Sequence, residues 1–273
     1  MQNIFFKDKN IPYIEARYTL NSNKEYKEHF HTTLSIGAIV EGVASFRSNK
    51  EHLTLHQNML VALNPFVLHS CNPIKSKFRS YYMLYIDTNW AYNLQKNIFT
   101  NIDSFIPISK SLIDNQNDYN KFIQLNRVLL DKDILYLQKQ ESLENFFSYF
   151  FKKYCNANRN FYESNNPNKN ILKIKKAKAY IEQNYNKNLT IEEIAKSVDI
   201  SPFYFSRIFK NYTNISLHQY LLNIRVEKAK ELLKNSSTPL AILAQELGFN
   251  DQSHFNRVFK ALTTCTPYEY RKY

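Results

Sequence analysis

Two short segments near the end of the chain repeat one another. YFSRIFK places Phe205, Arg207, Phe209 and Lys210 at the spacing at which HFNRVFK, fifty residues on, places Phe255, Arg257, Phe259 and Lys260. On a helix, residues four apart share a face, so each phenylalanine pair is expected to pack inward. That leaves Phe203, Tyr204, Ser206, Arg207 and Lys210 outward on the first segment, and Gln252, Ser253, His254, Asn256 and Arg257 on the second. Arginine can donate two hydrogen bonds to guanine and glutamine can pair with adenine, whereas serine and histidine are less selective. These are the residue types that read base edges in the major groove. One polar helix face is ordinarily a solvated face; the same face presented twice in matching frames points to DNA.

The elements needed to position these residues are legible on either side. Helical periodicity begins at Ile171 and runs through Tyr180 and Ile181. Thr190, with Glu193 three residues on, forms a capping box for IEEIAKSV, and Asp199 falls where the chain must turn. Ser201 and Pro202 then form an N-cap and first-turn pair for FYFSRIFK. In the second copy Thr238 and Pro239 open LAILAQEL, Gly248 supplies a left-handed turn and Asp251 caps QSHFNRVFK. SLHQYLLNIRVEKAKELLKN between them has the spacing of one long linking helix. Each copy therefore reads as a helix-turn-helix.

Charge agrees. The chain of 273 residues carries a net charge of +12, and residues 171–273 hold sixteen Lys and Arg against nine Asp and Glu, a net +7. A polyanion is the expected partner rather than a cationic one. No charged leader followed by an apolar core opens the sequence, so nothing directs export. No run approaches the roughly 18 apolar residues of a spanning helix. Cys71, Cys155 and Cys265 are widely spaced and odd in number, which fits reduced thiols better than a disulfide framework or a zinc knuckle.

Upstream the pattern is different. From about residue 11 to 90, runs such as TLSIGAIVEGVASF and KFRSYYMLYID predict antiparallel strands. In SYYMLYI both alternating sets are apolar, as in a strand covered on its two faces. Between 117 and 155 the period becomes helical, with Phe122, Leu125 and Leu129 on one segment and Leu143, Phe147, Phe150 and Tyr154 on the next. This aromatic stripe suits core packing or a dimer interface. Residues 156–170, rich in Asn and interrupted by Pro167, read as a linker.

Residues 171–273 resemble the DNA-binding region of AraC/XylS-family transcription regulators. The likeness is carried by LTIEEIAKSVDISPFYFSRIFK, ISLHQYLLNIRVEKAKELL, LAILAQELGFNDQSHFNRVFK and TPYEYR. It implies that both helix-turn-helix units lie on one face of the duplex, with Phe203, Ser206, Arg207, Gln252, Ser253, His254 and Arg257 near base edges and with lysines and helix N-termini on phosphates. Asn214 and Thr264 stand where the family usually has Gly; β-branched Thr264 predicts a loop of different conformation.

The stretch from His29 to Pro73 resembles the cupin-like, arabinose-binding-type sensing domain found in front of many such regulators. His29, His31 and His69 match the three metal-binding histidines of cupin enzymes, but the accompanying Glu is missing, its place being taken by Ser35 or Ile36. The expectation is a pocket wall for a small-molecule effector, formed by His29, His31, His69 and Tyr82 with help from Arg79, and no cofactor. The alternative is a metal held by the three histidines, in a sensor or enzyme domain fused to a DNA-binding arm.

The sequence therefore predicts an α+β chain, with an N-terminal antiparallel β-barrel plus helices followed by an all-α double helix-turn-helix domain. Its expected parts are a sensing domain at 1–112, a helical dimerisation segment at 113–155, a linker at 156–170 and the DNA-binding domain at 171–273. The expected function is sequence-specific transcription regulation, as an activator under effector control, without enzymatic activity. The expected partners are promoter DNA, RNA polymerase, a small molecule and a second copy of the chain, in the cytoplasm and away from membranes.

Overall fold

The computed structural model describes residues 2–48, 51–74, 77–156 and 169–272. Among these residues the chain divides into two units, one holding the strands and the first three helices, the other the helices that follow.

In the first unit, β1 (Gln2–Asp8), β2 (Ile11–Ser22), β8 (Arg79–Ile86), β3 (Leu34–Glu41), β6 (Met59–Leu63) and β9 (Leu112–Asp114) form one sheet in that order. A second sheet has the order β5 (Glu51–Leu55), β4 (Ala44–Ser48), β7 (His69–Pro73). All pairings are antiparallel. Helices α1 (Thr88–Lys96), α2 (Gln116–Leu130) and α3 (Tyr136–Tyr154) complete the unit.

Strand β8 is central, paired with β2 on one side and β3 on the other. Its doubly apolar alternation has the anticipated cause. Leu84 and Ile86 join Ile14, Ile36, Leu60, Phe122, Leu143, Phe147 and Phe150 in a core under the helices, while Tyr81 joins Ile39, Phe46, Leu55 and Leu63 in a second core against the smaller sheet. The aromatic stripe is thus spent inside the unit: Phe122, Phe147 and Phe150 are fully buried, each contributing about 1.5–3 kcal/mol by leaving water.

One boundary is corrected here, one helix is additional, and one segment lies mostly outside the described residues. β9 pairs with β6, so the sheet extends past 112 into the segment assigned to helices. Helix α1 was not anticipated, although Asp87 caps it by accepting from the backbone N–H groups of Asn89 and Trp90. The linker at 156–170 falls mostly outside the described residues, and helix α4 (Lys169–Asn184) already includes its last two positions.

Helices α2 and α3 are locked together by one buried charge. Asp118, with no exposed surface, accepts hydrogen bonds from Tyr149 Oη at 2.6 Å, from Lys153 Nζ at 2.8 Å and from Tyr154 Oη. Burial alone would raise its pKa, but the bonds from Lys153, Tyr149 and Tyr154 outweigh it and hold the carboxyl below its ordinary value. The same arrangement pushes Tyr154 up to about 12, by burial first and by the Asp118 carboxylate second. A depressed carboxylate stabilises the fold above the ordinary carboxylate range and loses that contribution as pH falls through its folded pKa. Asp118→Asn is therefore expected to cost roughly 2–3 kcal/mol at neutral pH, with the gap from wild type closing on acidification, read from urea midpoints at a series of pH values. A gap that stays constant from pH 7 to pH 3 would contradict the charged role.

Candidate nucleic-acid interface

The second unit comprises α4, α5 (Ile191–Lys196), α6 (Pro202–Thr213), α7 (Leu217–Asn235), α8 (Leu240–Glu246), α9 (Gln252–Thr263) and α10 (Pro267–Lys272). The local signals are those the sequence carries. Thr190 and Glu193 make a reciprocal capping box, Ser201 accepts from Tyr204 N, Ser216 and Gln219 cap α7, and Asp251 accepts from His254 N at 2.6 Å. Asp199 turns the chain at φ 54°. Helix α8 differs: its N-cap is Pro239, with no side-chain bond, and the Thr238 carbonyl instead accepts from Arg271 Nη2 at 2.6 Å.

Phe205, Phe209, Phe255 and Phe259 are all buried, which fixes the outward faces of α6 and α9. Ser206, Arg207, Lys210, Gln252, Ser253 and Arg257 are exposed, and Phe203 is 81% exposed. Tyr204, His254 and Asn256, expected outward as well, are half-buried. Tyr204 meets the amide of Asn170, and the His254 ring packs edge-on against Phe249 at 5.5 Å. Burial first and the Arg257 charge second lower the pKa of His254, so it is neutral at neutral pH. Asn256 Oδ1 is enclosed without a hydrogen-bond partner among the described residues.

The duplication is deeper than the sequence suggested. Helix α6 ends on Asn214 at φ 61°, ψ 4°, and α9 ends on Thr264 at φ 67°, ψ 0°; each backbone N–H donates at 2.8 Å, to Lys210 O and Lys260 O respectively. In both copies the preceding threonine hydroxyl lies 2.7 Å from the helical carbonyl four residues back and 3.0 Å from the carbonyl two residues on. The different loop expected of Thr264 is therefore not found. A left-handed β-branched residue costs about 1–2 kcal/mol, and the cap bond and the Thr263 strap hold it there.

The two motifs share one internal anchor. Arg225 on α7 is buried; its Nε donates to Tyr185 O at 2.8 Å, its Nη2 to Lys187 O at 2.9 Å, and its guanidinium lies over the Phe249 ring. The turn before the first motif and the turn inside the second are thereby fixed to the same side chain. Gly248 is required at this junction. It has φ +80°, and a Cβ there would come within 2.7 Å of Asn186 O and 2.8 Å of Arg225 Nη2.

Beside β7 and β8, His29, His31 and His69 are brought together: all are buried, and one ring nitrogen from each lies within 4.8 Å of the others. His29 Nδ1 sits 2.7 Å from Lys27 O and His69 Nδ1 3.0 Å from Val67 O. Tyr82 belongs to the opposite face of β8, stacked on Tyr18 and packed against the core under the helices. Tyr85 is the residue that meets the histidines, edge-on to His31 at 5.0 Å. Sequence reasoning missed it because strand parity had no absolute reference; a register with Arg79, Tyr81, Met83 and Tyr85 together would have found it. Arg79 shares that parity, is fully buried, and donates to Cys71 O at 2.8 Å.

A unit of two antiparallel sheets and three helices, followed in the chain by two helix-turn-helix motifs on one linking helix, defines a two-domain regulator of the helix-turn-helix class. The model of the AraC-like ligand binding domain matches residues 11–124, and that of a helix-turn-helix domain matches residues 194–273. The regulatory protein PocR of Salmonella typhimurium is 32% identical over 151 residues, covering 54% of this chain and 49% of its own. The Bacillus subtilis HTH-type transcriptional regulator YdeC is 22% identical over 270 residues, 92% of this chain and 88% of its own. The chain thus spans about half the length of PocR and nearly all of YdeC. Crystalline ToxT from Vibrio cholerae has the same fold, with TM-score 0.61 at 16% identity over 99% of this chain and 96% of its own. The chain belongs to the AraC family of transcription regulators.

Gly248→Ala is expected to cost about 1–3 kcal/mol through its positive φ and the collision with Arg225, lowering the thermal midpoint, whereas Asn214→Gly leaves the midpoint unchanged or raises it. A neutral Gly248→Ala would show that the junction is slack.

Proposed function

We propose that this chain regulates transcription in the cytoplasm by sequence-specific binding of promoter DNA through α6 and α9, under control of a small molecule taken up by the first unit. The observation that carries this reading is the paired presentation of Arg207 and Arg257, both exposed at the same position of duplicated helices whose opposite faces are buried phenylalanine. Two such helices on one rigid connector suit successive major grooves, about 34 Å apart on one face of B-DNA. The family supplies the further expectations of activation through RNA polymerase and of a homodimer. No helix among the described residues is long and apolar enough to cross a membrane.

The test is selection of bound duplexes from a random library, followed by binding of the winner over a range of salt. The expected motif has two half-elements about one helical turn apart. Arg207→Ala and Arg257→Ala should each cost about 1–3 kcal/mol and relax preference at one base position, whereas a phosphate-contacting lysine weakens all sequences alike. Equal losses on every sequence for both arginine variants would contradict base reading.

The histidine cluster supports a second reading, of a divalent metal as the agent sensed. The contacts of His29 and His69 to backbone carbonyls call for a proton on Nδ1, the kind of outer-shell support that a metal-bound imidazole uses. Three neutral imidazoles suit zinc and leave a fourth position open. Zinc dialysed against the full chain should bind at one per chain and be lost in His69→Ala, with affinity for the selected duplex in the absence of zinc unchanged. Absence of stoichiometric zinc in a folded wild-type chain would leave the cluster as an effector wall.

A further inference from the structure

We infer that Tyr204 is a positioning residue that holds Arg207 for base reading, and that Asn170, in the first turn of α4, is its anchor. The inference rests on the assignment of Arg207 as a base reader and goes beyond it, since nothing about the repeated motif itself calls for a residue on α4.

The geometry is local to the second unit. The Tyr204 hydroxyl lies 2.9 Å from Asn170 Nδ2 and 3.2 Å from Asn170 Oδ1, so it can both accept from and donate to one amide. The ring, one helical turn before Arg207, lies under its guanidinium, with the Arg207 Cζ 5.3 Å from the ring centroid. Both residues line a groove of about 450 Å³ with Asn170, Ile208, Asn211 and Tyr212. An exposed arginine has rotamer freedom to lose when it pairs with guanine. A ring fixed at its hydroxyl end and lying against the guanidinium restricts that freedom before DNA arrives, as preorganisation requires. The second motif has a different arrangement: the equivalent of Tyr204 is His254, whose ring is turned to Phe249. The two half-elements are therefore read by arginines held in different ways.

The experiment measures discrimination by the full chain at each position of the selected duplex, for wild type, Arg207→Ala, Tyr204→Phe and Asn170→Ala. The Arg207→Ala profile identifies the base pair that Arg207 reads. Both Tyr204→Phe, which keeps the ring, and Asn170→Ala should reduce discrimination at that base pair by about two- to tenfold, the value of one neutral hydrogen bond. They should leave the Arg257 base pair and the salt dependence unchanged, and each should lose its effect when combined with Arg207→Ala. Undiminished discrimination in both variants overturns the inference, as does a uniform loss with a shallower salt dependence, which would make Tyr204 a phosphate contact. If Arg207→Ala itself leaves every preference intact, the base-reading assignment falls and this inference with it.

Discussion

The buried guanidinium of Arg225 is the constraint on which the DNA-binding unit depends. A guanidinium removed from water is costly unless its donors are filled, and here two of them end on carbonyls of the turn that follows α4, while the flat face meets Phe249 of the second motif. Because the arginine projects from the linking helix, that helix cannot shift its register without stranding the charge. Gly248 lets the second turn approach closely enough for the arrangement to close. A rigid separation between two recognition helices, which groove spacing demands, comes from this junction rather than from either motif.

Around that junction the energetics are ordinary core packing. Phe209 meets Tyr220 of the linking helix edge-on, and the Tyr220 hydroxyl reaches Glu182 of α4, so one side chain of α7 binds α4 and α6 together. Phe259 meets Tyr270 of α10 in the same manner in the second copy. The charged outer faces carry none of this load. Substitutions at the exposed Arg207, Arg257, Gln252 or Ser253 are therefore expected to have little effect on stability.

The first unit follows the opposite logic, with polar groups taken inside. His31, His69, the Tyr85 edge and the buried Arg79 lie on the side of β8 that faces the smaller sheet, while the other side is an apolar core under three helices. Buried polar groups on one face of a central strand cost stability unless they are paired. Their concentration on that one face sets it apart from the apolar core on the other.

By itself the sequence determined the helix-turn-helix pair, down to Thr190, Ser201, Gly248 and Asp251, because capping and turn chemistry are local and leave their residue types at fixed offsets. It also determined the outward faces of α6 and α9 except at Tyr204, His254 and Asn256, which tertiary contacts partly cover, since a phenylalanine pair four residues apart has one way to be buried. Strand parity was beyond it: with both alternating sets of β8 apolar, only pairing with β2 and β3 decides that Tyr85 rather than Tyr82 meets the histidines. The conformation of Thr264 was likewise a tertiary decision, because the residue's own preference runs against the left-handed turn that the cap and the Thr263 hydroxyl impose. Arg225 was invisible in the sequence for the same reason: a lone arginine within a long helix looks solvated until the turns it binds, some forty residues before it and some twenty after, are folded against it.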